Sequence, residues 1–228
     1  MKTRLAAAAV LSLVLLPSAA GTEEGLVEEH KNVVGLDPGT GWNVLSIFSG
    51  KVNYYGVGEE DGQKFIRSRY DPDLKTVILY RRLGKPCPCY KISWRWRVHS
   101  FPDGADELSS SKSDSPAAVY VYFRKPLRQY VIKYIWSVAY PKGFSYRSSK
   151  SNFFNRMHVK VVEGPPTEKD VWKRVTVDAE ADFRKYFLDD DEQNDPIPEV
   201  WGVGILTDGD ATKKIVETDY ADFSLSEK

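Results

Sequence analysis

Along most of the chain, apolar and polar residues alternate one by one between clusters of Gly, Pro, Asp and Ser. Successive side chains of a strand point to opposite faces, so a period of two marks strands with one buried side. The pattern predicts strands at residues 42–48, 53–57, 64–70, 76–82, 91–98, 117–124, 131–140, 157–163, 172–178, 200–207 and 217–225. That is about eleven short strands with turn signals between them. A partial helical stripe occurs in "AEADFRKYF", Ala179–Phe187, through Ala181, Tyr186 and Phe187. Strands without intervening helices exclude a parallel α/β sheet. They predict an all-β fold, an antiparallel β-sandwich with at most one short helix. Polar stretches at 102–116, 140–155 and 189–198 read as long loops, the usual seat of function on a rigid sandwich.

The alternation also assigns faces. In "KISWRWRVHS", Ile92, Trp94, Trp96 and Val98 share the core side, and Ser93, Arg95 and Arg97 the other. In the 117–124 strand, Val119, Val121 and Phe123 oppose Tyr120, Tyr122 and Arg124. The 131–140 strand is bulky on both sides: Val131, Lys133, Ile135 and Ser137 against Ile132, Tyr134, Trp136 and Val138. If these three strands are neighbours, one outer face gathers Arg95, Arg97, Tyr120 and Tyr122 with either Tyr134/Trp136 or Lys133/Ser137. Aromatic rings stack on the apolar face of a sugar, and guanidinium forks bond its hydroxyls or carboxylates. The candidate ligand set is Arg95, Arg97, Tyr120, Tyr122, Tyr134 and Trp136. The competing reading is a solvated face of Tyr–Arg cross-strand pairs, or one covered by the 140–155 loop.

Charge narrows the partners. With 32 basic and 32 acidic residues the formal net charge is zero, which argues against nucleic acid. At the N-terminus Lys2 and Arg4 precede an apolar run at 5–16 and the small residues of "PSAA" at 17–20. This is the layout of a cleaved secretory signal, so the chain is expected to be exported, to a periplasm or beyond. No other stretch is apolar enough to cross a membrane. The expected organisation is a signal at 1–20, an extension at 21–41 and a single sandwich domain at 42–228. The only cysteines, Cys87 and Cys89, leave three readings open: a disulfide suited to an oxidising compartment, free thiols, or two ligands for a soft metal such as Cu(I).

The strand motifs "ISWRWRV", "PDGADE", "YVYF", "YIWS", "VKVVEG", "WKRVTVDAEADFRKYF", "VWGVGILTDGDAT" and "YADFSL" follow one another over residues 44–225. In that order they resemble an uncharacterised bacterial family, domain of unknown function 3047. The resemblance implies an exported bacterial protein and a sandwich of the jelly-roll kind. The closing pattern is also similar to galactose-binding-like modules, carbohydrate-binding modules among them, an analogy of fold alone. It carries no activity over, and the Cys87/Cys89 pair and the loop at 189–195 depart from the family's pattern.

Chemistry-bearing constellations are few. In "TDGDAT", Asp208 and Asp210 resemble the start of a loop for a hard cation, and Asp219 is the candidate third ligand of a structural calcium. The competing reading is a turn in which each aspartate caps its own backbone. Asp103, Asp106, Glu107 and Asp114 share one loop and contain a candidate hydrolytic carboxylate pair. Of the histidines His30, His99 and His158, the last alternates with Lys160 on the expected outward face. There is no Gly-x-Ser-x-Gly elbow and no His-Glu-x-x-His helix. The expectation is a non-catalytic binding module for carbohydrate or another envelope ligand. The alternatives are a structural or protein-interaction component of the envelope or a secreted assembly and, third, a glycan-active enzyme.

Overall fold

The structure, a computed structural model, describes residues 34–45 and 54–227. The expected signal at 1–20, most of the expected extension, His30 and the 46–53 stretch lie outside the described residues. The early strands are β1 (Val34–Leu36), β2 (Asn43–Leu45), β3 (Tyr55–Glu60), β4 (Gln63–Tyr70), β5 (Ile78–Cys87) and β6 (Lys91–Ser100). There follow β7 (Ala117–Lys125), β8 (Arg128–Trp136), β9 (Ser145–Arg147) and β10 (Asn155–Glu163). The chain ends with β11 (Lys173–Asp178), helix α1 (Ala179–Phe187), β12 (Val200–Leu206) and β13 (Val216–Ser226). The helix coincides with the predicted one. Asp178 caps it, accepting from the Ala181 amide at 3.0 Å.

The strands form two sheets. The first runs β11-β6-β13-β4-β3, with β1 also paired to β13; the second runs β2-β5-β12-β7-β8-β10-β9. From β4 to β7, and again from β10 to β13, each successive strand changes sheet. That crossing makes the fold a β-sandwich of jelly-roll type. Pairing is antiparallel except for β8 with β10. One assumption of the face reading fails: β6 lies between β11 and β13, whereas β7 and β8 belong to the opposite sheet. The loop after β6 carries the chain across the sandwich rather than into a hairpin. Two elements carried too little pattern to be read, β1 from the expected extension and β9 from the 140–155 loop.

The core between the sheets holds the residues assigned to it. Trp94, Trp96, Val119, Val121 and Phe123 are fully buried there. Tyr134 and Trp136 join them, so the β8 face left undecided by sequence is now assigned. β3 runs on to Glu60, beyond the strand predicted at 53–57, and only Asp61 (φ 50°) and Gly62 (φ 75°) turn. Positive φ at both positions is the geometry of a tight two-residue hairpin.

His158 departs from its expected place. Its ring stacks on Tyr186 of α1 with centroids 3.8 Å apart, and its Nε2 is buried without a hydrogen-bonding partner among the described residues. Burial, reinforced by the Lys185 charge, pushes its pKa down to about 4. The unfolded chain takes this proton near 6.5 and the folded one only near 4. Stability from this group is therefore complete above the upper value and is lost as pH falls through the window. Between neutral pH and about pH 4.5 the wild type should lose about 2 kcal/mol more than His158→Phe, in parallel urea titrations. Equal losses in the two proteins would show that the ring protonates freely in the folded state.

Candidate functional site

The arginines of β6 face outward from the first sheet, and acids meet them there. Arg97 pairs with Asp219 at 2.8 Å and with Glu60 at 2.8 Å. Arg95 pairs with Asp222 at 2.6 Å, and its Nη2 donates to Gln63 Oε1 at 2.6 Å. Trp172 lies against both guanidinium groups, 4.6 Å from Arg97 and 5.0 Å from Arg95. This face satisfies its own charge.

The candidate ligand set is therefore split three ways. Arg95 and Arg97 lie outside the first sheet, Tyr120 and Tyr122 outside the second, and Tyr134 and Trp136 between them. Tyr134 Oη donates to the buried Asp182 at 3.0 Å, a carboxylate that also accepts from Lys160 at 2.7 Å. Those two aromatics cannot stack on a ligand without unfolding the core.

The outer face of the second sheet is the aromatic one. Tyr120 and Tyr122 stack at 6.2 Å, Tyr80 of β5 meets Tyr122 edge-on at 5.2 Å, and Trp201 packs 5.7 Å from Tyr80 and 6.0 Å from Tyr122. The glycines of "WGVGIL" make room for these rings. A Cβ on Gly202 would fall 2.5 Å from Tyr80 Cζ, and one on Gly204 would fall 3.3 Å from Tyr122 Cε2. The rings thus approach the β12 backbone closely, which a side chain would prevent. One half of the face is closed: Tyr140, Phe144 and Tyr146 of the following loop pack over it. Trp201 and Tyr80 remain partly exposed at the other end.

Two adjoining cavities open beside Trp201, each of about 340 Å³. Arg124, Lys125 and Trp201 line both; Arg82 lines the first, Arg128 and Phe154 the second. Tyr80 Oη, Tyr122 Oη and Trp201 Nε1 are buried with no hydrogen-bonding partner among the described residues. Clustered orphan donors of this kind call for a partner. Trp201, Tyr80, Arg82 and Arg124 were not singled out by sequence. The signal was the aromatic residue followed by alternate glycines in β12.

Carboxylates gather at the closed end of the same face. Burial raises the Glu107 pKa, and its Oε2 accepts from Ser137 at 2.9 Å. Asp106 accepts from Tyr140 Oη at 2.7 Å, and that bond, first among its contacts, lowers its pKa. The 102–116 loop is thereby clamped to the loop after β8. Lys133 lies between, its pKa lowered by burial against the attraction of Asp208, Glu107 and Asp114.

Asp208, Asp210 and Asp114 bring carboxylate oxygens within 4.8 Å of one another. Burial pushes Asp208 up to about 6, with Asp210 and Asp114 adding to it and Lys133 opposing. Asp219 is not part of this group: it lies on the first sheet, bonded by Arg67, Arg97 and His99. The third carboxylate is Asp114, and it already caps the loop, accepting from the amides of Ala211 at 3.0 Å and Thr212 at 2.7 Å. Asp208 accepts from Thr76 Oγ1 at 3.2 Å and the Asp210 amide at 3.3 Å. Only the bond from the Asp210 amide to Asp208 is that of an aspartate capping its own turn; Asp114 reaches the loop from the 102–116 segment. Cys87 and Cys89 form a disulfide with Cα atoms 5.1 Å apart.

The profile of a family described as "Protein of unknown function (DUF3047)" matches residues 40–224. The chain belongs to that family. No curated protein matches this DUF3047 chain. Among solved structures, it is similar to the xyloglucanase domain of NopAA, a type three effector from Sinorhizobium fredii, in complex with cellobiose. The identity is 9%, the TM-score 0.46, and the match covers 87% of this chain and 99% of that one. It is also similar to the family 11 carbohydrate-binding module of Lic26A-Cel5E from Clostridium thermocellum, at 9% identity and TM-score 0.43, over 86% and 95% of the two chains. A family 11 xylanase from Neocallimastix patriciarum matches at 9% identity and TM-score 0.37, over 86% and 96%. Values this low assign no ligand to the DUF3047 chain. Its site is argued from its own residues.

Proposed function

We propose that the chain is an exported, non-catalytic carbohydrate-binding protein whose ligand lies on the outer face of the second sheet, at its open end. The observation that carries this reading is the aromatic platform of Trp201 and Tyr80, bordered by two cavities and by buried donors without partners. An indole packed by tyrosines and partly exposed to solvent offers an apolar surface to a sugar ring. The orphan N–H and O–H groups would donate to its hydroxyls once they are uncovered. Export is supported by the basic and apolar N-terminal pattern and by the Cys87–Cys89 disulfide, which persists in oxidising compartments.

Affinity electrophoresis of the protein through gels containing a panel of polysaccharides tests the reading. At least one polymer should retard the wild type, and Trp201→Ala should weaken that retardation about tenfold or more, the effect of losing a stacked ring and its contacts. Tyr80→Ala should act in the same direction. Equal retardation of wild type and both variants would remove this face as the site. Retardation by no polymer would favour the interaction-protein reading, for which Leu127, Phe153 and Phe154 offer an exposed apolar tip beside the second cavity. That reading requires a stable oligomer in sedimentation.

A further inference from the structure

The two outer faces of the sandwich treat their cations in opposite ways. On the first sheet Arg67, Arg95, Arg97 and Arg174 all pair with acids: Asp219, Asp222 or Glu60. Along the open groove of the second sheet, Arg82, Arg124, Lys125 and Arg128 line the cavities, and none forms an ion pair among the described residues. Only Glu199 stands against these four cations in the lining. Aromatic rings accompany them: Arg124 lies 5.8 Å from the Trp201 ring and Arg128 4.5 Å from Phe153.

Resting on the carbohydrate-binding reading, we infer that this groove takes an acidic polysaccharide, a chain of sugars bearing carboxylates. Its rings would lie on Trp201, and its carboxylates would meet Arg82, Arg124, Lys125 and Arg128. The chain as a whole has zero net charge, so four unpaired cations in one groove are a local provision rather than a general basicity. Guanidinium groups match carboxylates in bidentate pairs, and a neutral sugar would leave that charge unanswered. The repeat suits a polymer: Arg124 and Lys125 stand where the two cavities meet, so successive residues of one strand can each find a cation. Single-stranded nucleic acid, the other polyanion that stacks on aromatics, is disfavoured by the balanced overall charge.

Isothermal titration of the full chain with oligogalacturonate, a neutral cello-oligosaccharide and a short oligothymidylate decides the matter. Oligogalacturonate should bind, and the Arg124→Gln/Arg128→Gln double variant should bind it at least tenfold more weakly. Both arginines lie at the surface, and Arg69→Gln on the opposite sheet serves as a control expected to bind unchanged. Raising the salt concentration severalfold should weaken wild-type binding steeply and the double variant's, which keeps Arg82 and Lys125, less steeply. Binding of the neutral oligosaccharide alone would overturn the acidic assignment while leaving a sugar face in place. Binding of oligothymidylate as tight as oligogalacturonate would overturn the sugar class in favour of a general polyanion groove. Binding of none of the three, with neutral polysaccharide gels also giving no retardation, would overturn both readings together.

Discussion

Trp96→Ala is expected to abolish cooperative folding at physiological temperature, or to leave a protein with only a few kcal/mol of its stability. Trp96 is fully buried. Its indole meets Trp94 edge-on at 5.3 Å and tilts over Trp136 at 5.9 Å, so it bridges the two sheets across the middle of the core. Trp94 extends the contact to Tyr134 at 5.9 Å and to Phe223 at 6.5 Å. Truncating one of these rings loses its transfer free energy and leaves a void that rigid aromatic neighbours cannot close. Losses of about 3–5 kcal/mol are usual for such changes. Against a total of about 5–15 kcal/mol that is a large share. Urea titration followed by near- and far-ultraviolet circular dichroism measures it. The control is Arg95→Gln on the opposite side of the same strand, a partly exposed pair whose loss should cost about 1 kcal/mol or less. A Trp96→Ala midpoint within error of the wild type would mean that the two sheets do not pack through this residue.

The contrast between Trp96 and Arg95 shows what alternation can tell. Period two places Trp94 and Trp96 on one side and Arg95 and Arg97 on the other whatever the strand's neighbours are, because the pleat alone decides it. The same rule correctly divided β7 into Val119, Val121 and Phe123 against Tyr120 and Tyr122. It says nothing about which sheet a strand joins. That depends on where the loops between strands lead, and the 102–116 loop carries no local signal that it crosses the sandwich. The separation of the arginines from the tyrosines in the ligand set follows from this ambiguity: Arg95 and Tyr120 both face outward, but from opposite sides of the molecule. β8 is a second limit. With bulk on both faces its inward side is undetermined by pattern, and the fold turns Tyr134 and Trp136 into the core rather than toward a ligand. The groove residues were hidden differently. Trp201 follows a register shift in β12 between Val200 and Gly202, where the period of two is interrupted. Arg82 and Arg124 read as ordinary charged strand residues until the fold sets them around one indole.

Asp219→Ala should be the most damaging substitution on the side of either sheet that faces away from the core, although a sequence reading places this residue with the loop at Asp208. The carboxylate is fully buried. Arg67 donates to it through Nε at 2.8 Å and Nη2 at 2.9 Å, Arg97 through Nη2 at 2.8 Å, and His99 Nε2 lies 2.7 Å away. Burial alone would raise its pKa, but the bonds from Arg67, His99 and Arg97 together outweigh that and hold it below the usual carboxylate range. Removing it strands Arg97, itself mostly buried, with Glu60 as its remaining ion-pair partner. Breaking such a site from one side costs about 3–5 kcal/mol. A depressed carboxylate contributes stability that is present above the unfolded pKa and lost as pH falls through the folded one. The deficit of Asp219→Ala relative to wild type should therefore be constant from neutral pH down to about pH 4 and shrink below it. Urea titrations at both ends of that range would show it, and a deficit that grew on acidification would reverse the assigned sign. The milder Asp219→Asn, assayed at a temperature where it stays folded, separates stability from binding. The groove residue Trp201 lies on the opposite face of the sandwich, so polysaccharide retardation should match the wild type while the unfolding midpoint falls. A variant that kept its midpoint but lost retardation would move the ligand to the arginine face.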